Sequence, residues 1–298
     1  MSALCVSSLT HYQAVRFAGK DVRTFLQGQT STDITDCTNN AFRPCYFCQY
    51  QGKVVANGYV LVFSPTYALL LCHNSIADGL ISYLAPYAQL SGIELGTMPF
   101  TYYGLIYSKA TENLPKPLYY QLFDDFIVAT VATGLSLAFG DKRPIDLWLA
   151  KQNYLTNTDA SQWHLQSMQQ SICILPENMS LKFTPNMLAD VPSAAISVTK
   201  GCYTGQEVIA RTYHLGKPKR SLYTLFTQSY LYRIADGTRL QIADTNAHAD
   251  VVASYCCAHT LWLQVVMPLH ARNEVEFILR PEEHPDNVVA FTATKYTD

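Results

Sequence analysis

The chain has 298 residues, close to two domains' worth, with a net charge of −2, 15% charged residues, 20 tyrosines and 13 phenylalanines. A sizeable core is assured at that length, and the near-neutral charge gives no general reason to expect nucleic-acid binding. Residues 1–15 lack a basic segment followed by an apolar run, no later stretch approaches the roughly 18–20 apolar residues of a membrane span, and the 9 cysteines have no framework spacing. The expectation is a cytoplasmic protein with free thiols, no membrane association and no direct nucleic-acid partner.

Asp21 to Gln29 sets Val22, Phe25 and Leu26 on one helical face, with Asp21 as N-cap. Gln27, Gln29 and Asp33 at its end are either solvated helix-end polars or ligand contacts. Cys45 and Cys48 form C-x-x-C ahead of the glycine turn Gln51-Gly52-Lys53. With no second pair in register, and with Cys256 and Cys257 adjacent, the spacing predicts buried thiols and no metal site. Val54 to Phe63 reads as a strand, and Gly58–Phe63 and Tyr67–Cys72 as a hairpin across Ser64-Pro65-Thr66. Asn74 and Ser75 cap a predicted helix that carries Ile76, Leu80, Tyr83 and Leu84 on one face and stops before Pro86.

Further strands are predicted at Ile93–Leu95, Tyr102–Tyr107 and Phe126–Val131, with surface connections at Leu114–Leu118 and Gly140–Pro144 and a helix over Trp163–Gln170. Interleaved strands and helices indicate α+β lobes. Pro176, Pro185 and Pro192 keep the next stretch irregular. After Lys217, Pro218, Lys219 and Arg220 the pattern changes to short apolar segments at Leu222–Phe226, Arg239–Ile242, Val251–Tyr255, Leu261–Met267 and Val275–Leu279, the signature of a small β-barrel or sandwich. This places one body over residues 1–220 and a second domain over 221–298.

The most informative stretch is Lys200 to Glu207, K-G-C-Y-T-G-Q-E. Cys202 lies between glycines, so exposure is expected. Thr204 and Glu207 have the spacing of a capping box, with a helix beginning near Val208 and unable to run past Gly216 and Pro218. A helix start after Cys202 and Lys200 before it would favour the thiolate and make this cysteine a nucleophile. The alternative is a tight turn in which the cysteine only fills space.

The octapeptide, its continuation V-I-A-R and the later G-K-P-K-R resemble the signature of the YgfZ-type folate-binding proteins, relatives of the glycine-cleavage T-protein. F-L-Q-G-Q-T-S-T-D and Q-G-K match more weakly. The resemblance implies an α+β fold: a T-protein-like ring of two interlocked lobes followed by a C-terminal β-barrel. It also implies tetrahydrofolate in the central hole and a role in making or repairing iron–sulfur clusters in client enzymes, some of which modify tRNA.

On this reading Cys202 and Lys200 are the reactive residues. Tyr203 is one of many tyrosines able to enclose a pterin; Gln206, Glu207 and Gln29 are candidates for its polar edges, and Arg211, Lys219 and Arg220 for the glutamate tail. Two departures are Val198 in place of an aromatic residue and Ala189-Asp190 in place of an asparagine-containing pattern. A third bears on activity: Ala56 and Asn57 stand where the T-protein carries an acidic pair that serves aminomethyl transfer, and neither can act as a carboxylate base. A folate-dependent aminomethyl or one-carbon transferase, and a direct cluster carrier, remain the competing readings.

Overall fold

A computed structural model describes residues 4–38, 40–108, 114–152, 154–156, 159–189, 193–216, 218–228, 234–243, 245–269, 276–281 and 288–293. Asp190, Pro192, Lys217 and Val275 lie outside them.

The body is built from β1 (Leu4–Leu9), β2 (Tyr12–Gly19), α1 (Val22–Gln29), β3 (Phe42–Cys48), β4 (Val54–Ser64), β5 (Tyr67–His73), α2 (Ala77–Ser91), β6 (Ile93–Met98), β7 (Thr101–Ile106), β8 (Tyr120–Leu122), β9 (Phe126–Ala132), β10 (Leu135–Gly140), α3 (Lys142–Ala150), β11 (Tyr154–Thr156), α4 (Ser161–Gln169), α5 (Pro185–Leu188) and α6 (Gln206–Leu215). The last six strands are β12 (Arg220–Thr227), β13 (Arg239–Ile242), β14 (His248–Cys257), β15 (Thr260–Pro268), β16 (Glu276–Pro281) and β17 (Val289–Ala293).

Two sheets share the body, in the orders β11-β1-β7-β10-β9-β8 and β3-β4-β5-β2-β6. Consecutive strands cross between them: β1 leaves β2 for the other sheet, and β6 leaves β7. Neither lobe can therefore be cut out as a continuous segment, which is the interlocking that the resemblance implied. The remaining strands close a barrel in the order β12-β15-β14-β13-β16-β17. Fully buried aliphatic and aromatic side chains fill each unit, among them Phe17, Phe47 and Leu70 beneath α1 and α2, and Leu225, Leu263 and Phe291 inside the barrel. A buried side chain of this kind contributes about 1.5–3 kcal/mol.

The Asp21 cap forms, its carboxylate accepting from Thr24 N at 3.0 Å. The β4–β5 hairpin closes with Ser64 paired to Tyr67. By contrast, α2 runs through Pro86 to Ser91 and ends on left-handed Gly92. Its apolar face continues past the proline to buried Ala88, and Pro86 itself is exposed, so burial on the inner face offsets the lost hydrogen bond. The predicted connection at Gly140–Pro144 runs into α3, where Pro144 occupies the first turn and its missing N–H costs nothing. Among the described residues no helix is long and apolar enough to cross a membrane.

Candidate functional site

The signature loop is fastened from below. Lys200 is buried, and its ammonium donates to the carbonyls of Thr30 at 2.8 Å and Thr32 at 2.7 Å, just beyond the end of α1. Its Nζ also stands 4.9 Å from the centre of the Tyr203 ring. Burial lowers the Lys200 pKa from 10.5 to about 8, with Asp33 opposing the shift. The lysine that the sequence suggested as an activator of Cys202 thus spends its hydrogen bonds on backbone carbonyls. Gln206 Nε2 donates back to the Lys200 carbonyl at 3.3 Å, and Tyr203, itself buried, donates its hydroxyl to Ser197 O at 3.3 Å.

The expected capping box does not form. The N-cap of α6 is Gly205, with no side-chain cap bond, and the helix begins at Gln206. Thr204 turns away, its amide donating to Gly28 O at 3.1 Å, while Glu207 is exposed. The physical reason is the close approach of the β3–β4 turn. Gly205 has φ 85, and a Cβ there would lie 2.8 Å from Gln49 O. Gly52, at φ 73, faces Val208 of α6 so closely that its own Cβ would come within 2.7 Å. Two left-handed glycines let turn and helix interlock, and only glycine adopts that backbone without strain.

Cys202 stands on this fastened base and is exposed; so is Cys256, with Cys257 half-buried, against the expectation that both were buried, because they end β14 at the hairpin turn into β15. The cysteines of C-x-x-C are opposite in character: Cys45 and Cys48 are 1% exposed, burial pushes the Cys45 thiol well above its usual range and the Cys48 thiol up to about 12. Among the described residues no group of three or more histidines, cysteines or acids is arranged to hold a metal.

Two recesses lie near the junction of body and barrel, and only the narrower has barrel residues in its lining. A cavity of about 230 Å3 is lined by Cys45, Tyr46, Asn57, Tyr59, Cys173 and Ala195, among others. A narrower cleft shares Ile172 and Ile174 with it and adds Tyr12 and His11, His73 at the end of β5, Trp163 and His164 of α4, and Tyr255 of the barrel. His164 stacks on Tyr255 with ring centres 3.8 Å apart, and His11 lies 4.5 Å from His164. Burial holds both imidazoles neutral, lowering His164 to about 4 and His11 to about 2. The buried Trp163 indole lies over Gly104, and its Nε1 faces the Tyr12 hydroxyl without a well-formed hydrogen bond.

The 230 Å3 cavity offers tyrosines and a neutral polar lining, and the cleft beside it an indole donor with spare capacity; the cavity falls below the roughly 300–1,000 Å3 of usual small-molecule sites, room for a headgroup only. Asn57, which the resemblance sets where the T-protein has an acid, is bonded on both sides: its Nδ2 donates to Cys173 O at 2.6 Å and its Oδ1 accepts from Leu175 N at 2.8 Å. Ala56 is buried beside it.

Of the other predicted contacts, Gln29 is half-buried at the end of α1, while Arg211 and Lys219 are exposed. Arg220, partly exposed, is engaged by Asp250 at 2.7 Å and by the carbonyls of His248 and Val266, so the cation expected at the glutamate tail already holds a carboxylate. The junction histidines were missed in the sequence because they are scattered over three elements; the pair Trp163-His164 on one predicted helix was the sole local signal.

No family model matches the chain. It is 26% identical over 302 residues to the tRNA-modifying protein YgfZ of Colwellia psychrerythraea, covering 97% of this chain and 92% of the relative. The protein of the same name from Buchnera aphidicola is 28% identical over 244 residues, 74% of this chain and 73% of the relative. An uncharacterized protein of Haemophilus influenzae is 26% identical over 279 residues, 93% of each chain. Among solved structures, glycine cleavage system aminomethyltransferase T from Bartonella henselae superposes with a TM-score of 0.76 at 12% identity, covering 99% of this chain and 86% of that one. From one end to the other, the chain resembles the YgfZ proteins in sequence and carries the fold of aminomethyltransferase T.

Proposed function

We propose that this chain is a cytoplasmic, folate-binding accessory protein for enzymes that need iron–sulfur clusters, including tRNA-modifying ones, with Cys202 as its reactive centre. The observation that carries the reading is the contrast within the signature loop: a buried lysine and interlocked glycines fix the backbone, yet the thiol they surround is left exposed. A purely structural turn has no need to hold a cysteine outward. Tetrahydrofolate or a one-carbon derivative is the ligand that the junction would take, its pterin against Tyr46, Tyr59 and Asn57. When bound, it would supply a one-carbon carrier; this chain's residues would enclose and orient it.

The fold by itself favours a second reading, an aminomethyltransferase, but Asn57 is bonded on both sides and lacks the carboxylate that reaction uses. The test is calorimetry with tetrahydrofolate, where micromolar binding, roughly −7 to −8 kcal/mol, is expected. It is paired with complementation of a bacterial strain lacking its own protein of this kind, where Cys202→Ser is expected to abolish activity in a folded protein. Absence of heat and of thermal shift at millimolar ligand would overturn the folate assignment, and full activity of Cys202→Ser would overturn the role of the thiol.

A further inference from the structure

The narrow cleft beside α4 gathers three imidazoles from distant parts of the chain. His11, just before β2, has its ring 4.5 Å from that of His164 on α4 and 6.0 Å from that of His73 at the end of β5. The His164 ring lies on Tyr255 of β14, 3.8 Å away and 7° from parallel. All three imidazoles are half-buried. The other titratable groups around them are Tyr12 of β2, Tyr255, Asp236 ahead of β13, and Asp159 ahead of α4. Asp159 favours a charged His164, but its carboxylate accepts from Ser161 N at 2.9 Å and Ser161 Oγ at 2.6 Å, and burial outweighs it.

The stack of body ring on barrel ring is also a joint. α4 packs on β14 and β15, and the chain leaving α4 is gripped from two sides. From the barrel, Thr224 Oγ1 donates to Met168 O at 2.9 Å and Gln264 Nε2 donates to Ile172 O at 3.1 Å. From β4, Asn57 is bonded to Cys173 O and Leu175 N. Ile172 and Ile174 line both the histidine cleft and the 230 Å3 cavity, and Cys173 between them lines the cavity. One strip of chain is therefore a wall of the cavity and a seat for the barrel.

We propose that the three histidines are an acid-sensitive latch between α4 and the barrel: protonation breaks the His164–Tyr255 stack, the barrel eases off α4, and the Ile172–Ile174 wall of the ligand cavity yields. The inference rests on the folate-binding reading above and adds to it the regulation of that site. An imidazolium at His164 or His11 would stand against a second imidazole 4.5 Å away in a half-dry crevice, and water solvates that charge better once the rings part. The closed form holds His164 at about 4, against 6.5 for a solvated ring, so between those values the open form binds more protons. Closure is therefore fully stabilised above 6.5 and loses that stability as the pH falls toward 4. A drop from about pH 7.5 to about 5.5 should raise the open population about tenfold for each histidine that titrates in this way.

Cys173 reports the state of the wall. Its labelling by a dipyridyl disulfide, which reacts with thiols in mild acid, is mapped by mass spectrometry at both pH values and scaled to the unfolded chain at the same pH. Cys37 and Cys72, buried together in a different core of the body, report global opening. In the wild type, scaled labelling of Cys173 should rise about tenfold or more at the lower pH, with Cys37 and Cys72 unchanged. His164→Phe keeps a ring on Tyr255 without a proton site and should remove most of that rise. His11→Gln, a separate variant that leaves the stack intact, should reduce it, and thermal midpoints at the higher pH establish that each variant is folded. Calorimetry should show tetrahydrofolate affinity falling in acid more steeply for the wild type than for His164→Phe.

A Cys173 signal that ignores pH, that rises only together with Cys37 and Cys72, or that rises equally in both histidine variants would overturn the latch. So would an equal loss of folate affinity in the wild type and His164→Phe. Failure of the underlying reading looks different: tetrahydrofolate would give no heat at the higher pH, while Cys173 would still open in acid.

Discussion

Cys45 and Cys48 on β3, and Cys202 on the signature loop, are the same residue type in neighbouring parts of one structure with opposite fates. The strand buries Cys45 in the core that holds Cys37, Phe47 and Cys72, and Cys48 in the one that holds Tyr46, Val54 and Cys173; burial raises their pKa, which makes them packing groups. In the loop it is the residues around the cysteine that are buried, namely Lys200, Tyr203 and Gly205, while Cys202 points outward. A cysteine's chemistry is set by the accessible volume around its sulfur, and the local fold allots that volume.

The largest expected effect is on thiol reactivity. Under limited alkylation near neutral pH, Cys202 should be the first of the nine cysteines modified. Cys45, Cys48 and Cys173 should react on the order of a thousandfold more slowly or less, because reaching them requires an opening that costs several kcal/mol. Peptide mapping by mass spectrometry reads this directly, and early labelling of Cys45 with Cys202 silent would reverse the comparison.

Asn57 sharpens it from the buried side. Asn57→Ala strands the Cys173 carbonyl and the Leu175 amide, and should lower stability by about 2–4 kcal/mol in denaturant titrations. Asn57→Asp introduces the acid that the resemblance sets at this position but loses the donor to Cys173 O. It should be destabilised as well and show no aminomethyl transfer above background; turnover in this variant would mean that the position was the sole barrier to that chemistry.

On the loop side, Lys200→Met keeps most of the aliphatic stem and removes the donors to Thr30 and Thr32, an expected loss of about 1–3 kcal/mol. The lysine also leaves a pH signature. Its folded pKa of about 8 lies below the ordinary 10.5, so between those values the unfolded chain holds more protons, and this group makes stability rise with pH across that window. Lys200→Met should flatten the rise, and faster hydrogen exchange in residues 197–205 would show that the loop has come off its base.

The smallest effect is at the β14–β15 hairpin, where Ala258 and His259 have φ 49 and 60 between the paired residues Cys257 and Thr260. That turn geometry favours Asn-Gly, so Ala258→Asn with His259→Gly should stabilise by roughly 1 kcal/mol, well away from either thiol environment.

Local rules read from the sequence hold wherever one segment decides the outcome. The Asp21 cap, the β4–β5 turn and the barrel segment Arg239–Ile242 form as expected, because each is settled by residues a few positions apart. The capping box failed because the β3–β4 turn, about 150 residues upstream, needs the space at Gly205. Arg220, read from the sequence as an anion contact, is paired with Asp250 of β14, two strands along the barrel.

By itself the sequence determined the Asp21-capped helix, the β4–β5 hairpin, the change to strands after Arg220 and the signature around an exposed Cys202. Only the tertiary structure decided that Lys200 faces inward, that Gly52 and Gly205 meet, and that His11, His73, His164 and Tyr255 converge on one cleft. The first set depends on spacing along the chain. The second depends on strands crossing between two sheets and a barrel, which brings together groups far apart in sequence, and burial at those meetings fixes which side chains remain free to react.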